Sequence, residues 1–168
     1  MKISLLGYMG SGKSIVGKEL AKLLDLNFID LDMKIEKESG YTVTETFLNK
    51  GELYFRQKER EALEHVLKDD NFVLSTGGGT PCYYDNIDLM NRNSLTVYLS
   101  LPMPDLYERL EHIKESRPLI SHLEGEGLKE FIGKHLMERN PFYHKATYVL
   151  QCHGKSVQKI AEEIKNLL

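Results

Sequence analysis

Eight residues near the amino terminus, Gly7-Tyr8-Met9-Gly10-Ser11-Gly12-Lys13-Ser14, make a complete G-x-x-x-x-G-K-[ST] phosphate-binding loop. In such a loop Gly10, Ser11 and Gly12 let backbone N–H groups approach a nucleotide's phosphates. Lys13 supplies a point charge for the β and γ phosphates, and Ser14 an oxygen for Mg²⁺. A random match in a chain of this size has a probability of roughly 0.5%, so nucleotide binding is the reading carried forward.

Further along, Asp30-Leu31-Asp32 offers two carboxylates. Asp30 could hold Mg²⁺ through a water and Asp32 could accept a hydrogen bond from an attacking hydroxyl. The same residues would also serve as an Asx turn and a helix cap, because Asp is favoured before helices. Gly77-Gly78-Gly79 allows a ligand within backbone distance, or is simply a flexible turn ending at Pro81. Three arginines stand apart. Arg56 has Glu52 four residues before it and Glu59 three after, the spacing of an exposed ion-pair ladder on a helix. Arg139 ends a helical run before Asn140-Pro141-Phe142-Tyr143, where its guanidinium could grip a planar carboxylate bidentately. Arg117 could close over a transferring phosphoryl group.

These groups need elements to position them. Short apolar runs at Ile3–Leu6, Asn27–Ile29, Phe72–Ser75, Leu95–Leu99 and Tyr148–Leu150 read as strands, with helical patterns between them. The alternation predicts an α/β domain whose mostly parallel sheet is covered by helices on both faces. The loop follows the first strand and opens a helix with Val16, Leu20, Leu23 and Leu24 on one face. Asp30 and Asp32 follow the second strand, where a period of two puts both on one side. All these loops fall at the carboxyl edge of the sheet, where open α/β folds bind ligands.

Two insertions interrupt the alternation. The first, about residues 33–67, holds a helix ending at Gly40, a capping box at Thr42-Val43-Thr44-Glu45 opening a helix that stops at Gly51, and a longer helix carrying Phe55 to Glu61. The second, about residues 115–125, contains Arg117-Pro118-Leu119, with Gly125 and Gly127 at its exit, a composition suited to a mobile cover.

At 168 residues the chain fits one domain, with neither linker nor internal repeat. Cys82 and Cys152 form no C-x-x-C pair and are expected to be free thiols in a reducing cytosol. The six histidines form no metal-ligand cluster. A net charge of −3 gives no broad cationic surface for nucleic acid, and no apolar stretch approaches the roughly 20 residues that cross a bilayer.

Taken in order, Gly7 to Ser14, Phe28-Ile29-Asp30-Leu31-Asp32, Phe55-Arg56 with Glu59, Leu74 to Gly79, Arg117-Pro118-Leu119 and Arg139-Asn140-Pro141-Phe142-Tyr143 strongly resemble the shikimate kinase family, small relatives of the nucleoside monophosphate kinases. The resemblance covers nearly the whole chain. It implies a three-layer α/β/α P-loop kinase fold with a five-stranded parallel sheet in the order 2-3-1-4-5, a helical substrate-binding insertion and a closing lid. It implies that ATP phosphorylates the 3-hydroxyl of shikimate, on the route to chorismate and the aromatic amino acids. It further implies that Asp32, Arg56, Gly78, Gly79 and Arg139 hold shikimate, with the two arginines facing its carboxylate. Lys13 and Arg117 would contact ATP phosphates, and Ser14 and Asp30 would serve Mg²⁺. Two positions depart from the commoner pattern, Ile15 after Ser14 and Gln57 after Arg56. Adenine contacts near Cys152-His153-Gly154 and at Arg109 stay open. The expected enzyme is a cytoplasmic monomer acting on ATP and shikimate, without nucleic-acid or membrane partners. Another small-molecule kinase of the same fold, or a nucleotide-dependent switch, are the rival readings.

Overall fold

Strand β1 (Lys2–Leu6) lies at the centre of the sheet in the computed structural model, which describes residues 1–168. Both its faces are covered, so Ile3, Ser4, Leu5 and Leu6 are all buried and the strand reads as a continuous run rather than an alternation. The chain continues through α1 (Lys13–Leu24), β2 (Asn27–Asp30), α2 (Leu31–Ser39), α3 (Val43–Lys50), α4 (Glu52–Val66) and β3 (Phe72–Ser75). A 3₁₀ turn at Thr80–Cys82 precedes α5 (Asn86–Asn93), β4 (Leu95–Ser100) and α6 (Met103–Ile113). A second 3₁₀ turn at Lys114–Ser116 leads to α7 (Gly125–Tyr143), β5 (Tyr148–Gln151) and α8 (Val157–Lys165). All four strand pairings are parallel and the order is β2-β3-β1-β4-β5, the topology expected from the resemblance.

That order dictates where ligands meet the sheet. From β1 the chain crosses outward to β2, whereas every later crossover runs the opposite way. Right-handed crossovers therefore put α1 on one face and the intervening helices on the other. The packing of α8 against α1 completes the first layer. The reversal opens a crevice beyond the carboxyl ends of β1 and β3, with the phosphate loop on one lip and Gly77-Gly78-Gly79 on the other.

The face that α1 buries is Val16, Gly17, Leu20 and Ala21. Leu23, expected on that face, is 40% exposed. The helix packs so closely on β2 that a Cβ at Gly17 would stand 2.6 Å from the Phe28 ring, and this approach rotates the buried stripe toward the small residues. Full burial of Leu20 and Val16 contributes about 1.5–3 kcal/mol each.

Helix boundaries in the first insertion follow local chemistry. Asp30 caps α2 by accepting from the Met33 N–H at 3.2 Å, and Gly40 ends it in the left-handed conformation. Thr42 and Glu45 form a reciprocal capping box on α3, with bonds of 3.1 and 2.7 Å. Gly51 closes α3 and opens α4.

Three local expectations are corrected. Asp32 is not on the strand beside Asp30, because the chain turns into α2 at Leu31 and Asp32 lies in the first helical turn. Strand periodicity is therefore not what aims the pair. Helix α7 does not stop at Arg139 but runs through Pro141 to Tyr143. Pro141 has no N–H to give the Met137 carbonyl, and Met137 lies on the exposed side of the helix at 71% exposure. The last turn is also tied down by Tyr143, which donates to the Gly78 carbonyl at 2.7 Å. Gly125 and Gly127 belong to the first turn of α7 rather than to a loop exit. No helix is long and apolar enough to cross a membrane.

Candidate active site

The phosphate loop turns on left-handed backbone at Gly10 (φ 77°) and Gly12 (φ 92°), a region closed to most L side chains. Ser11 is buried and donates its N–H to the Tyr8 carbonyl at 3.1 Å. Gly12 caps α1 with no side-chain hydrogen bond, and the first turn carries no acidic residue. The positive end of α1 thus remains free to act on an anion. Lys13 folds back over the loop, donating from Nζ to the Gly7 carbonyl at 2.8 Å and the Tyr8 carbonyl at 3.0 Å. Burial lowers its pKa to about 8, with Arg117 and Arg139 pushing further down and Asp32 and Asp30 pushing up. The ammonium form still dominates at neutral pH.

Ser14 Oγ donates to Asp30 Oδ2 at 2.8 Å and lies 3.3 Å from Ser75 Oγ, at the end of β3. Asp30 caps α2 through Oδ1, as its place before the helix suggested, and its Oδ2 accepts from Ser14. Three hard oxygen groups beside the phosphate loop are the donor type that divalent hard cations take, with water completing the shell. Ser75, part of the motif quoted above, had no role assigned from sequence; the signal was its place at the end of a strand, at the same carboxyl edge of the sheet as the loop.

Beyond the loop opens a cavity of about 440 Å³. Its wall includes Asp32, Arg56, Gly78, Gly79, Arg117 and Arg139, all of the residues expected to face a second substrate or close over it. Asp32 arrives from α2, Arg56 from α4, Arg139 from α7, and Arg117 from the segment between the second 3₁₀ turn and α7. Burial, together with the negative charges of Glu59 and Asp30, raises the Asp32 carboxyl to about 6 against the opposing pull of Lys13.

Arg56 is not part of an exposed ladder. It is only 7% exposed, and its partner Glu59 is fully buried. Phe55, Arg56, Glu59, Ala62, Leu63 and Val66 form one stripe on α4, so the charged pair lies within the helix's buried face. That stripe was visible in the sequence, but Arg and Glu at this spacing more often mean a solvated pair. Glu59 accepts from Arg56 Nη1 at 3.0 Å and from Thr80 Oγ1 at 2.8 Å. One partner of such a pair cannot be removed without stranding the other.

Neither earlier reading of the triple glycine is complete. None of the three has a positive φ, so conformational freedom is not why they are glycine. A Cβ at Gly77 would meet Asp32 Oδ1 at 3.1 Å and Glu59 Oε2 at 3.2 Å; at Gly78, Arg139 Nη1 at 2.9 Å; at Gly79, Arg56 Nη2 at 2.6 Å. Each glycine thus makes room for a charged group of the cavity wall itself.

Tyr8, from within the phosphate loop, escaped sequence reading altogether. Its hydroxyl hydrogen-bonds His135 Nδ1 at 2.9 Å, and Arg139 Cζ lies 5.8 Å from its ring centre. Burial lowers His135 to about 4, so the imidazole is neutral at physiological pH. Arg109 Nη1 donates to the Gly10 carbonyl at 3.2 Å, which sets this arginine against the phosphate loop. Cys82 is half-buried and Cys152 buried; burial raises both thiols to about 11.

The profile described as shikimate kinase matches residues 9–168. A shikimate kinase of Parabacteroides distasonis is 42% identical over 167 residues, 99% of this chain and 96% of that one. Among solved structures, a shikimate kinase from Bacteroides thetaiotaomicron superposes with a TM-score of 0.94 at 39% identity, covering 99% of this chain and 97% of the other. A shikimate kinase from Acinetobacter baumannii in complex with shikimate gives 0.90 at 32% identity, covering 99% and 91%. With a phosphate loop, a charged acceptor cavity and likeness along its full length, the chain belongs to the shikimate kinase family.

Proposed function

We propose that this chain transfers the γ-phosphoryl group of ATP to the 3-hydroxyl of shikimate, giving shikimate 3-phosphate and ADP, in the biosynthesis of chorismate and the aromatic amino acids. The observation that carries the reading is a single cavity. It joins a carboxylate, Asp32, to two arginines, Arg56 and Arg139, beside the phosphate loop at Met9.

Gly10, Ser11 and Gly12 let the backbone approach the phosphates at the positive end of α1, and Lys13 turns from the Gly7 and Tyr8 carbonyls to meet them. Arg56 and Arg139 hold the acceptor's carboxylate, and Gly78 and Gly79, which leave room for those guanidiniums, line the pocket beside it. Asp32 orients the acceptor hydroxyl and accepts its proton as the oxygen–phosphorus bond forms and the β–γ bridge breaks. A pKa near 6 leaves Asp32 a carboxylate at neutral pH yet basic enough for that task. Phosphoryl transfer asks mainly for positioning and charge stabilisation, and Arg117 supplies positive charge over the transferring group.

Ser14 and Asp30 hold Mg²⁺, an assignment supported by the oxygen cluster they form with Ser75. When bound, Mg²⁺ neutralises phosphate charge and orients the leaving group. The chain works as one domain, residues 1–168, with the acceptor-binding insertion at about 33–67 and the lid at about 115–125. Buried Ile120 anchors that lid while Arg117, Pro118 and Leu119 are exposed. The enzyme is a cytoplasmic monomer with small-molecule partners only, and its net charge of −3 supports the exclusion of nucleic acid.

ADP release measured with shikimate, gluconate or AMP as acceptor tests the assignment. Stimulation by shikimate alone is expected; equal stimulation by gluconate or AMP would refute it.

A further inference from the structure

Arg56 reaches the acceptor cavity on a long, rotatable side chain, and part of the rigidity it needs comes from two neighbours outside that cavity. Arg56 Cζ lies 4.1 Å from the centre of the Tyr83 ring, against 5.3 Å for Phe55 and 5.7 Å for Phe47. At 4.1 Å a guanidinium is in stacking contact with an aromatic face. Tyr83 also donates its hydroxyl to Glu52 Oε1 at 2.6 Å. That same carboxylate oxygen is 3.5 Å from Arg56 Nε. Nε makes no hydrogen bond and is the buried side-chain nitrogen left without one, so Glu52 is its charge compensation. Glu59 holds Nη1 at 3.0 Å from the other end of the group.

Tyr83 and Glu52 are both absent from the cavity wall, whereas Arg56 is part of it. Both therefore bear on the acceptor through Arg56. We propose that Tyr83, with Glu52 fixed by its hydroxyl, is a positioning residue that sets the plane of the Arg56 guanidinium and thereby the enzyme's affinity for the acceptor carboxylate. The inference rests on the reading that Arg56 holds that carboxylate. Tyr83 acts in two ways. Its ring keeps the guanidinium from tilting, and its hydroxyl keeps the exposed Glu52 side chain aimed at Nε. The hydroxyl bond in turn holds the Glu52 carboxyl below its usual range, which keeps the compensating charge in place. The ring against Cζ and Glu59 on Nη1 thus hold the guanidinium at two points.

Steady-state kinetics of Tyr83→Phe, Tyr83→Leu, Arg56→Lys and Tyr83→Leu/Arg56→Lys test this, with thermal unfolding of each variant alongside. Tyr83→Phe keeps the ring and should raise KM for shikimate about threefold. Tyr83→Leu loses both contacts and should raise it about tenfold or more, with kcat and KM for ATP within about twofold of the parent. On the Arg56→Lys background Tyr83→Leu should add less than about twofold, because the partner it orients is gone. A parental shikimate KM in both Tyr83 variants, with Arg56→Lys defective, overturns the inference and leaves the reading of Arg56 standing. A parental shikimate KM in Arg56→Lys overturns that reading and the inference with it. Equal losses toward ATP and shikimate in Tyr83→Phe, accompanied by a lower Tm, would mean a structural role and likewise overturn it.

Discussion

Replacing Gly79 by Ala tests whether the triple glycine is there to admit the site's own side chains. Gly79 has φ −87° and ψ −16°, which alanine adopts without strain, so the added methyl acts through space alone. Built on the backbone, that carbon stands 2.6 Å from Arg56 Nη2, 2.7 Å from Nη1 and 2.9 Å from Cζ. The nearest of these is about 0.8 Å short of the 3.4 Å at which ordinary contact begins. An arginine tip would normally swing aside at little cost. Here it is boxed by Glu59 at 3.0 Å and stacked on Tyr83 at 4.1 Å, so the guanidinium must move as a whole and lose one of those contacts. A misplacement approaching 1 Å at a binding group costs up to about 100-fold. We expect kcat/KM for shikimate to fall between about tenfold and 100-fold, KM for ATP to change little, and unfolding free energy to fall by about 1–3 kcal/mol. The assay is coupled ADP release over a shikimate titration, with thermal unfolding measured on the same protein. A shikimate kcat/KM within twofold of the parent would refute the reasoning.

Gly133 provides the contrast, since a Cβ there meets nothing within 4 Å and the residue lies inside α7; Gly133→Ala should stabilise by about 0.5–1 kcal/mol with unchanged kinetics, and a loss of stability would contradict the helix assignment. For Asp32 the pH dependence has two signs. Because its carboxyl titrates near 6 in the fold rather than near 3.8, the native state binds the proton more tightly, and stability falls as pH rises between those values. Asp32→Asn should therefore raise Tm at neutral pH while collapsing kcat, and near-parental turnover would remove Asp32 from the chemistry. In the parent, kcat/KM should rise through about pH 6 with Asp32 and fall above about 8 as Lys13 loses its proton; survival of the acid limb in Asp32→Asn would reassign it. Glu59→Ala strands the buried Arg56 charge and should cost about 3–5 kcal/mol by denaturant titration; a loss under 1 kcal/mol would mean that water reaches Arg56.

Much of this molecule is legible before it folds, and for a definite reason. Strand positions rest on short apolar runs bounded by turn residues, and four of the five exceed the expected bounds only by a residue at one end while Phe72–Ser75 matches. The capping box at Thr42 and Glu45 and the stops at Gly40 and Gly51 depend on residues within four positions of each other. The phosphate loop is likewise local: a glycine pattern, a lysine and a helix start that no distant contact needs to create. What failed were inferences that needed to know which way an element faces. Arg139 lies about one turn inside the end of α7, whose last turn Tyr143 ties to Gly78, 65 residues away in sequence. Leu23 faces water because α1 is drawn onto Phe28 through Gly17.

The amino-acid sequence by itself determined the order of strands and helices, the phosphate loop and the family, because these depend on neighbours along the chain and on motif order. Only the tertiary structure decided that Arg56 and Glu59 are buried, that each glycine of 77–79 yields space to a different charged side chain, and that Tyr83, Glu52, Tyr8 and His135 stand behind the arginines. An ion pair reads the same in sequence whether water or protein surrounds it, and burial is settled only when helices α2, α4 and α7 close around one cavity.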